Sequence, residues 1–469
     1  MASTNPIKVV EVCHITPSTQ SPESAIELSL PLTFFDMFFL NSHHSELNFF
    51  YMLPELTPTV FRTVILPKLK HSLSLTLLHF LPVAGNLTWL PHAAKPIISY
   101  TPNDGVLLTV AESNNITDFD CLTSNEMHDA FISHPYITKL SAISDTKVSI
   151  LALQITLFPN KGFSIGYSTS HAAVDGKSVT MFMKAWAHIC KHDTSLLPAE
   201  LSPSYDRTAI QDPEDIGTEY LKKWSSMNQL VGLDARSLKP FLPPEVPPSS
   251  VRATFAFSHA DIKRLRVRVL SQYGKERKPI HLSSFVLSYA FILVCIAKAR
   301  GLDKGDKILF RFPGDCRARL DPPLPTNYFG NCVMHQVATL DVEALVGDDG
   351  IAYVARKLAQ MVKQLGKGAL EGAKEKLAKN IDTSPRTLTI GLTGSPGLDL
   401  YGVDFGWGRP EKVEFTMLDR SESISMIDSK DGNGGLEIGL GVDFESHQLF
   451  VLRKLSEILI MQVSYCSSP

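Results

Sequence analysis

The chain has 469 residues, of which 44% are hydrophobic and 20% are charged, and its formal net charge is −3. This composition is typical of a globular protein. No basic run or basic stripe is present, so we expect no nucleic-acid partner. The length exceeds that of one ordinary core and predicts two domains.

The cysteines and the apolar segments indicate a cytoplasmic protein. The seven cysteines are scattered and form no Cys-x-x-Cys pair, which argues against a disulfide framework and a zinc site. Residues 1–12 lack the apolar core of a secretory signal, and the most apolar window, residues 285–297, is too short to span a bilayer. We also expect a monomer, because no exposed heptad pattern is visible.

Hydrophobic periodicity in the N-terminal half predicts a mixed α/β unit. Alternation predicts strands, and apolar residues at helical spacing predict helices. The predicted elements are a strand at 7–15, a long helix ending at Phe80, strands at 97–100 and 106–110, a hairpin at 148–158 and 162–169, and a helix at 177–190.

The C-terminal half follows a polar stretch, residues 198–248, in which few regular signals occur. We predict an N-terminal domain over 1–205, a crossover linker over 206–250 and a C-terminal domain over 251–469. The elements predicted there are strands at 253–258, 308–312, 387–392, 413–417, 423–428 and 436–442, and helices at 260–270, 281–299, 353–379 and 445–462.

The candidate catalytic residue is His171, which lies between the strand at 162–169 and the helix at 177–190. Histidine is the usual general base near neutral pH, and a sheet edge holds such a base rigidly. Asp175 follows four residues later. The spacing leaves two interpretations open: the carboxylate orients the imidazole, or it points away and locks the loop through an ion pair elsewhere.

Three other motif matches lack the context that their chemistry requires. Ser164 has the spacing of a hydrolase nucleophile, but the strand pattern continues past it, whereas a nucleophile elbow needs a sharp turn. Gly176-Lys177-Ser178 lacks the first glycine of a phosphate-binding loop. Asp404-Phe405-Gly406 resembles a kinase motif without the accompanying catalytic loop.

The combination of two motifs resembles a known family. His171-x-x-x-Asp175 is followed about 230 residues later by Asp404-Phe405-Gly406-Trp407-Gly408, and this pair is similar to that of the plant BAHD acyltransferases. The segments 30–36, 67–76 and 328–332 resemble the branch that acylates anthocyanins and other flavonoid or phenolic glucosides. The similarity covers essentially the whole chain.

This resemblance implies an α/β fold of two similar-sized, mixed-sheet domains of chloramphenicol-acetyltransferase-like type, with a solvent channel between them. It also implies that the segment after about residue 408 returns to the N-terminal domain. The enzyme would be an acyl-CoA-dependent O-acyltransferase without a metal or a permanently bound cofactor. The acyl-CoA and the glucoside would be its small-molecule substrates.

The resemblance assigns roles to individual residues. His171 would be the general base of direct transfer in a ternary complex. Asp175 would pair with an arginine, for which Arg317 is the first candidate, and the Asp404 motif would be mainly structural. Trp407 would line the channel and is one candidate donor to the oxyanion, beside backbone amides near His171.

Coenzyme A contacts are assigned to a basic helix and to two serines. Lys263 is one of four basic residues in the helix at 260–270, where the charges either contact phosphate or form a solvated face. Ser283 and Ser284 lie at the start of the following buried helix and are candidate pantetheine contacts.

The acyl donor is predicted to be malonyl-CoA, and a hydroxycinnamoyl (p-coumaroyl or caffeoyl) donor is the alternative. Residues 155–186 resemble malonyltransferases more than aromatic acyltransferases. A malonyl carboxylate requires a cation near His171, for which Lys177 is the candidate, although a helix lysine is often only solvated. A serine hydrolase, thioester hydrolysis without an acceptor and a non-catalytic binding protein remain as alternatives of other classes.

Overall fold

The computed structural model describes residues 6–19, 25–40, 42–115, 117–212, 214–241, 245–272, 280–366, 386–420 and 423–443. The α-helices are α1 (Phe34–Met37), α2 (Pro58–Val60), α3 (Leu66–His79), α4 (Leu81–Ala84), α5 (Thr117–Thr123), α6 (Gly176–His192), α7 (Ile216–Leu230), α8 (His259–Ser271), α9 (Ser284–Ala299), α10 (Val342–Val346) and α11 (Gly350–Leu365).

Strands alternate with these helices along most of the chain. They are β1 (Ile7–Ile15), β2 (Leu28–Pro31), β3 (Ser45–Met52), β4 (Asn86–Thr88), β5 (Ile97–Tyr100), β6 (Val106–Ser113), β7 (His128–Asp129), β8 (Ala142–Ser144), β9 (Lys147–Ser149), β10 (Leu151–Phe158), β11 (Gly162–Thr169), β12 (Ser250–Phe257), β13 (Lys307–Asp315), β14 (Val333–Asp341), β15 (Thr387–Thr393), β16 (Lys412–Phe415), β17 (Ser423–Asp428) and β18 (Leu436–Asp443).

The N-terminal domain is built on a six-stranded mixed sheet in the order β1-β6-β10-β11-β3-β16. The pair β10/β6 is parallel, and the other pairs of this sheet are antiparallel. One face packs on α3 and α6, where Leu69, Leu73 and Trp186 are fully buried with the inward residues of the strands. A smaller antiparallel sheet in the order β2-β5-β4-β9-β8 adjoins it.

The C-terminal domain has a seven-stranded mixed sheet in the order β14-β13-β15-β17-β18-β12-β7. Its apolar face packs on α8, α9 and α11. The helix α9 is buried almost all round, as its nearly continuous apolar sequence requires. The α/β fold of two mixed-sheet domains is therefore confirmed.

Each large sheet contains a strand from the opposite part of the chain. The late strand β16 pairs with β3 of the first sheet, and the early strand β7 pairs with β12 of the second. Both sheets are consequently completed by non-local pairing, which ties the two domains together.

Most of the predicted strands and helices are present at nearly the predicted positions. The elements of eight or more residues that were not predicted are β3, β14 and α7, and several shorter ones, among them α5 and α10, were also not predicted. The prediction that residues 206–250 lack regular structure is wrong over α7, where a polar helix packs Leu221 and Trp224 inward. The predicted helix at 445–462 and the end of the one at 353–379 lie outside the described residues.

None of the helices that the structure describes is both long enough and apolar enough to cross a bilayer.

A buried ionic cluster joins the two sheets. Arg252 of β12 is only 2% exposed and forms ion pairs with Glu414 and Asp419. Its guanidinium also donates to Ser133 Oγ at 2.7 Å and to the Thr416 carbonyl at 3.1 Å. Because Glu414 belongs to β16 of the first sheet, this one guanidinium connects both domains.

We expect Arg252→Met to destabilise the protein strongly. The substitution leaves the Glu414 and Asp419 carboxylates buried without their cation, at a cost of about 3–5 kcal/mol in the free energy of unfolding. Urea denaturation measures the loss. The control is Arg62→Met, which removes an exposed pair with Glu112 and should cost less than about 1 kcal/mol. Equal small losses in both variants would contradict this role of Arg252.

Candidate active site

His171 lies on the turn that connects β11 to α6. The strand ends at Thr169, and the Ser170 amide then donates to the Ile150 carbonyl at 2.9 Å. A second bond, from the Ala173 amide to the Ser170 carbonyl at 3.1 Å, closes the turn. The strand and the helix predicted on either side of His171 are both confirmed, and they hold its backbone at the sheet edge.

The imidazole of His171 is partly buried and stacks on Phe39, with ring centroids 3.7 Å apart and planes 10° apart. Its Nδ1 atom makes no hydrogen bond to any described residue. Burial lowers the pKa of His171 below its ordinary value, and the charges of Asp175 and Asp36 oppose this shift only in part. The ring is therefore neutral at neutral pH and is able to accept a proton.

Asp175 faces away from the imidazole and is 1% exposed. Its carboxylate caps α6 by accepting from the Ser178 amide at 2.9 Å, and it accepts from the Cys332 amide at 3.1 Å. It also forms an ion pair with Arg317, at 2.9 Å. Of the two interpretations left open by the sequence, these contacts favour the ion pair over an orienting contact with His171.

Arg317 is 2% exposed and binds several segments at once. Besides Asp175, its guanidinium donates to Asp315 at 3.1 Å and to the Gly330 carbonyl at 3.0 Å. Burial opposes its charge, but the two carboxylates outweigh burial and raise the pKa of Arg317. This arginine thus remains charged and links the turn after β11 to the chain between β13 and β14.

A second buried network reaches His171 itself. Asn331 donates through Nδ2 to the His171 carbonyl at 2.8 Å and to Asp36 at 3.0 Å. Asp36 in turn pairs with Arg207 at 2.7 Å. Asp36, Asn331 and Arg207 were not assigned to the site from sequence, although Asp36 and Asn331 belong to segments that carried the family resemblance.

His335 is a further residue of the site that sequence reasoning missed. It lies on the unpredicted strand β14, and its ring packs edge-on against Phe38 at 5.1 Å and Phe39 at 5.7 Å. His335 could have been found if β14 had been recognised as a strand, because alternation places His335 on one face with Val333 and Val337.

The Asp404 motif lies far from His171. The Asp404 carboxylate accepts from the Gly406 and Gly408 amides and from Lys191, at 2.8, 3.0 and 2.7 Å. Both glycines have φ near +100°, a conformation that disfavours any side chain. These contacts support a structural role for the loop.

Trp407 does not lie beside His171. Its ring packs edge-on against Phe163 at 6.0 Å, and the Lys68 ammonium lies 5.6 Å from its centroid. Phe163 is near the start of β11, whereas His171 follows the end of β11, and an extended strand separates Phe163 from Thr169 by about 20 Å. We therefore no longer propose Trp407 as an oxyanion donor.

The other candidate binding residues form two groups. Lys177 is half-exposed and lies 3.5 Å from the Asp315 carboxylate. Lys263 is exposed on α8 and shares a helix face with Arg266, which donates to the Leu282 carbonyl at 3.2 Å. Leu282 precedes the two candidate serines, so the basic face of α8 lies next to them.

Ser283 and Ser284 begin α9. Ser283 is the N-cap, and its hydroxyl accepts from the Val286 amide at 3.3 Å. Ser284 is the first helical residue and is partly buried. The assignment of Lys263 to a phosphate contact and of Ser283 and Ser284 to pantetheine contacts stays a prediction.

Comparison with known proteins decides the family. A model described as the transferase family matches residues 6–452. Phenolic glucoside malonyltransferase 1 of Arabidopsis thaliana is 39% identical over 457 residues, which cover 95% of this chain and 96% of the relative. The chain belongs to the BAHD acyltransferase family. It is an acyl-CoA-dependent acyltransferase.

Other BAHD relatives differ in their donors. Malonyl-CoA:anthocyanidin 5-O-glucoside-6''-O-malonyltransferase of Arabidopsis thaliana is 39% identical, with 92% of this chain and 94% of the relative covered. Agmatine coumaroyltransferase of the same plant is 33% identical, with 93% and 96% covered.

Solved structures support the same BAHD fold. Vinorine synthase superposes with a TM-score of 0.68 at 20% identity, covering 95% of this chain and 96% of that one. F. sporotrichioides TRI101, solved with coenzyme A and T-2, superposes with a TM-score of 0.63 at 14% identity, covering 91% and 97%. At such identities the likeness shows the fold alone.

We expect Asp175→Ala to reduce stability as well as turnover. The substitution removes a helix cap, worth about 1 kcal/mol, and an ion pair of the buried Arg317, so the free energy of unfolding should fall by about 3–5 kcal/mol. Thermal and urea unfolding measure this loss. Asp175→Asn is the matched control, because it keeps the cap and removes only the charge. Unchanged stability with lost turnover would instead make Asp175 an orienting residue for His171.

Proposed function

We propose that this enzyme transfers a malonyl group from malonyl-CoA to a sugar hydroxyl of a phenolic or flavonoid glucoside. The observation that carries the proposal is the neutral, partly buried imidazole of His171, held at the edge of a sheet in a chain that belongs to an acyl-CoA-dependent family. The names of two 39% identical relatives support malonyl as the donor group and a glucoside as the acceptor.

His171 acts as the general base of a direct transfer in a ternary complex. It accepts the proton of the sugar hydroxyl while the oxygen attacks the thioester carbon. When the carbon–sulfur bond breaks, the proton returns from the imidazolium to the coenzyme A sulfur. General-base catalysis of this type contributes roughly 10²–10⁴-fold to the rate, and alignment of both substrates contributes further.

The tetrahedral intermediate needs hydrogen-bond donors for its oxyanion. Since Trp407 packs at the opposite end of β11, we assign this role to backbone amides of the turn that follows His171. Backbone donors on a turn closed by two hydrogen bonds are already ordered before the substrate arrives.

The two candidate nucleophiles for a covalent route, Cys332 and Ser164, are both poorly placed. Cys332 is fully buried, and burial raises the pKa of its thiol, so the reactive thiolate is disfavoured. Ser164 lies within β11 and not on a turn, which removes the nucleophile-elbow interpretation. Both observations favour direct transfer.

A coenzyme A release assay tests this function. The protein is incubated with malonyl-CoA or p-coumaroyl-CoA, with and without a panel of phenolic, flavonoid and anthocyanin glucosides. We expect release only with malonyl-CoA and a glucoside, and a loss of at least about 10²-fold in His171→Ala, because the general base is absent. His92→Ala is the matched control, since His92 is exposed and far from the site in sequence.

The alternatives give different results in the same assay. Glucoside-dependent release with p-coumaroyl-CoA alone would show a hydroxycinnamoyl donor. Release that ignores the glucoside would show a thioester hydrolase, and no release with any pair would contradict the proposal.

The pH profile gives an independent check on His171. Because burial lowers the pKa of His171 below 6.5, the neutral base persists as the pH falls to that value. We therefore expect the acid limb of kcat/KM to have its midpoint below pH 6.5. Thermal unfolding across the same range controls for acid denaturation. An acid limb of kcat/KM with its midpoint above pH 6.5, in a protein that stays folded there, would contradict the assignment of His171 as a neutral, partly buried base.

A further inference from the structure

Residues of β13 alternate between the two faces of the seven-stranded sheet. Phe310 and Phe312 point into the core beneath α9 and are at most 2% exposed. Arg311 lies between them and therefore faces the opposite side, where it is exposed. A charged side chain thus stands on the face of the sheet that the helices do not cover at this position.

This face continues into the His171 site. His335 of β14 pairs with Pro313 of β13, so His335 and Arg311 are diagonal neighbours on one face, with Cα atoms roughly 7–8 Å apart. The His335 ring contacts Phe39, and Phe39 stacks on His171. Two aromatic rings, those of Phe39 and His335, therefore lie between the catalytic imidazole and Arg311.

The Arg311 side chain lies beside a glycine of the next strand. Gly391 of β15 lies opposite Arg311, and a Cβ atom built there would lie 3.4 Å from Arg311 Nε, which is an ordinary contact distance. The Arg311 stem therefore lies over β15.

Cations near His171 differ in whether a carboxylate already neutralises them. Lys177 lies 3.5 Å from Asp315, and Arg317 is buried between Asp175 and Asp315. Arg311 forms no ion pair with any residue in the described ranges, which include the whole of β13, β14 and β15.

His335 does not supply a second positive charge on this face. Burial, together with the charges of Arg311 and His171, lowers the pKa of His335 to about 3, so this ring is neutral at the pH of turnover. Of Lys177, Arg317, His335 and Arg311, Arg311 is the cation that no carboxylate of the described residues neutralises.

We propose that Arg311 binds the free carboxylate of the malonyl group and so selects an acidic acyl donor over a neutral one of similar size. One methylene group separates the malonyl carboxylate from the thioester carbon, so its cation must lie on a wall of the His171 site. A guanidinium suits this role because its planar fork can bind both carboxylate oxygens. The assignment rests on the proposed function.

Donor binding tests this assignment without any acceptor. Isothermal titration calorimetry gives the Kd of malonyl-CoA and of acetyl-CoA, which lacks the carboxylate, for the wild-type protein and for Arg311→Gln. We expect the variant to bind malonyl-CoA roughly tenfold to a hundredfold more weakly, because it loses a charge-assisted contact, and to bind acetyl-CoA unchanged. Arg311→Lys should retain part of the affinity for malonyl-CoA.

Two further variants complete the design. Lys177→Gln removes the rival cation, and Arg62→Gln removes an exposed arginine that pairs with Glu112 elsewhere on the surface. We expect neither to change the ratio of the two affinities. Thermal unfolding should be unchanged in Arg311→Gln, because this side chain is exposed.

Three results would overturn the assignment: unchanged malonyl-CoA affinity in Arg311→Gln, equal losses for both donors, or the selective loss in Lys177→Gln. Its failure is distinguishable from failure of the proposed function. Selective malonyl-CoA binding without transfer to any glucoside would refute the function alone. Transfer from malonyl-CoA with an unchanged Kd in Arg311→Gln would refute the role of Arg311 alone.

Discussion

The buried ion pair between Asp175 and Arg317 holds together the parts of the chain on which His171 depends. Asp175 ends the turn after β11 and caps α6, while Arg317 follows β13 of the second domain. Neither charge could remain buried without the other, because desolvation of a single ion costs several kcal/mol. The catalytic turn is consequently anchored to both domains, and its position depends on their association.

A second polar network controls the histidine more directly. Asn331 holds the His171 carbonyl and is itself held by Asp36, which pairs with Arg207. Each of these groups is buried and hydrogen-bonded, so the backbone of the turn has little freedom to shift. The imidazole packs on Phe39, and burial lowers its pKa, so the ring is neutral and can accept a proton.

Different parts of this structure determine the type of reaction and the choice of acyl donor. The turn with His171 suits acyl transfer from coenzyme A thioesters in general, as membership of an acyltransferase family implies. The relatives nevertheless include both malonyltransferases and a coumaroyltransferase. We place the selection of the acyl group on the open face of the second sheet, where Arg311 and His335 stand beside the site.

Local periodicity predicted those elements whose sequence alternates between apolar and small or polar residues or repeats at helical spacing. The strand and helix around His171 were found in this way. In contrast, β3 is buried on both faces and shows no alternation, whereas α7 is a polar helix that buries few residues, so neither gave a periodic signal. Trp407 was one candidate donor to the oxyanion, but its ring packs on Phe163 near the start of β11, a tertiary contact that a motif does not specify.

The sequence by itself determined the two-domain α/β architecture, the turn with His171 and the acyltransferase family, because all three depend on local patterns and on motif spacing. Only the tertiary structure decided that Asp175 pairs with Arg317, that Asn331 holds the His171 backbone and that Arg311 shares a sheet face with His335. These contacts join residues from distant parts of the chain. Strand pairing and burial decide which of these residues meet, and no local pattern in the sequence specifies either.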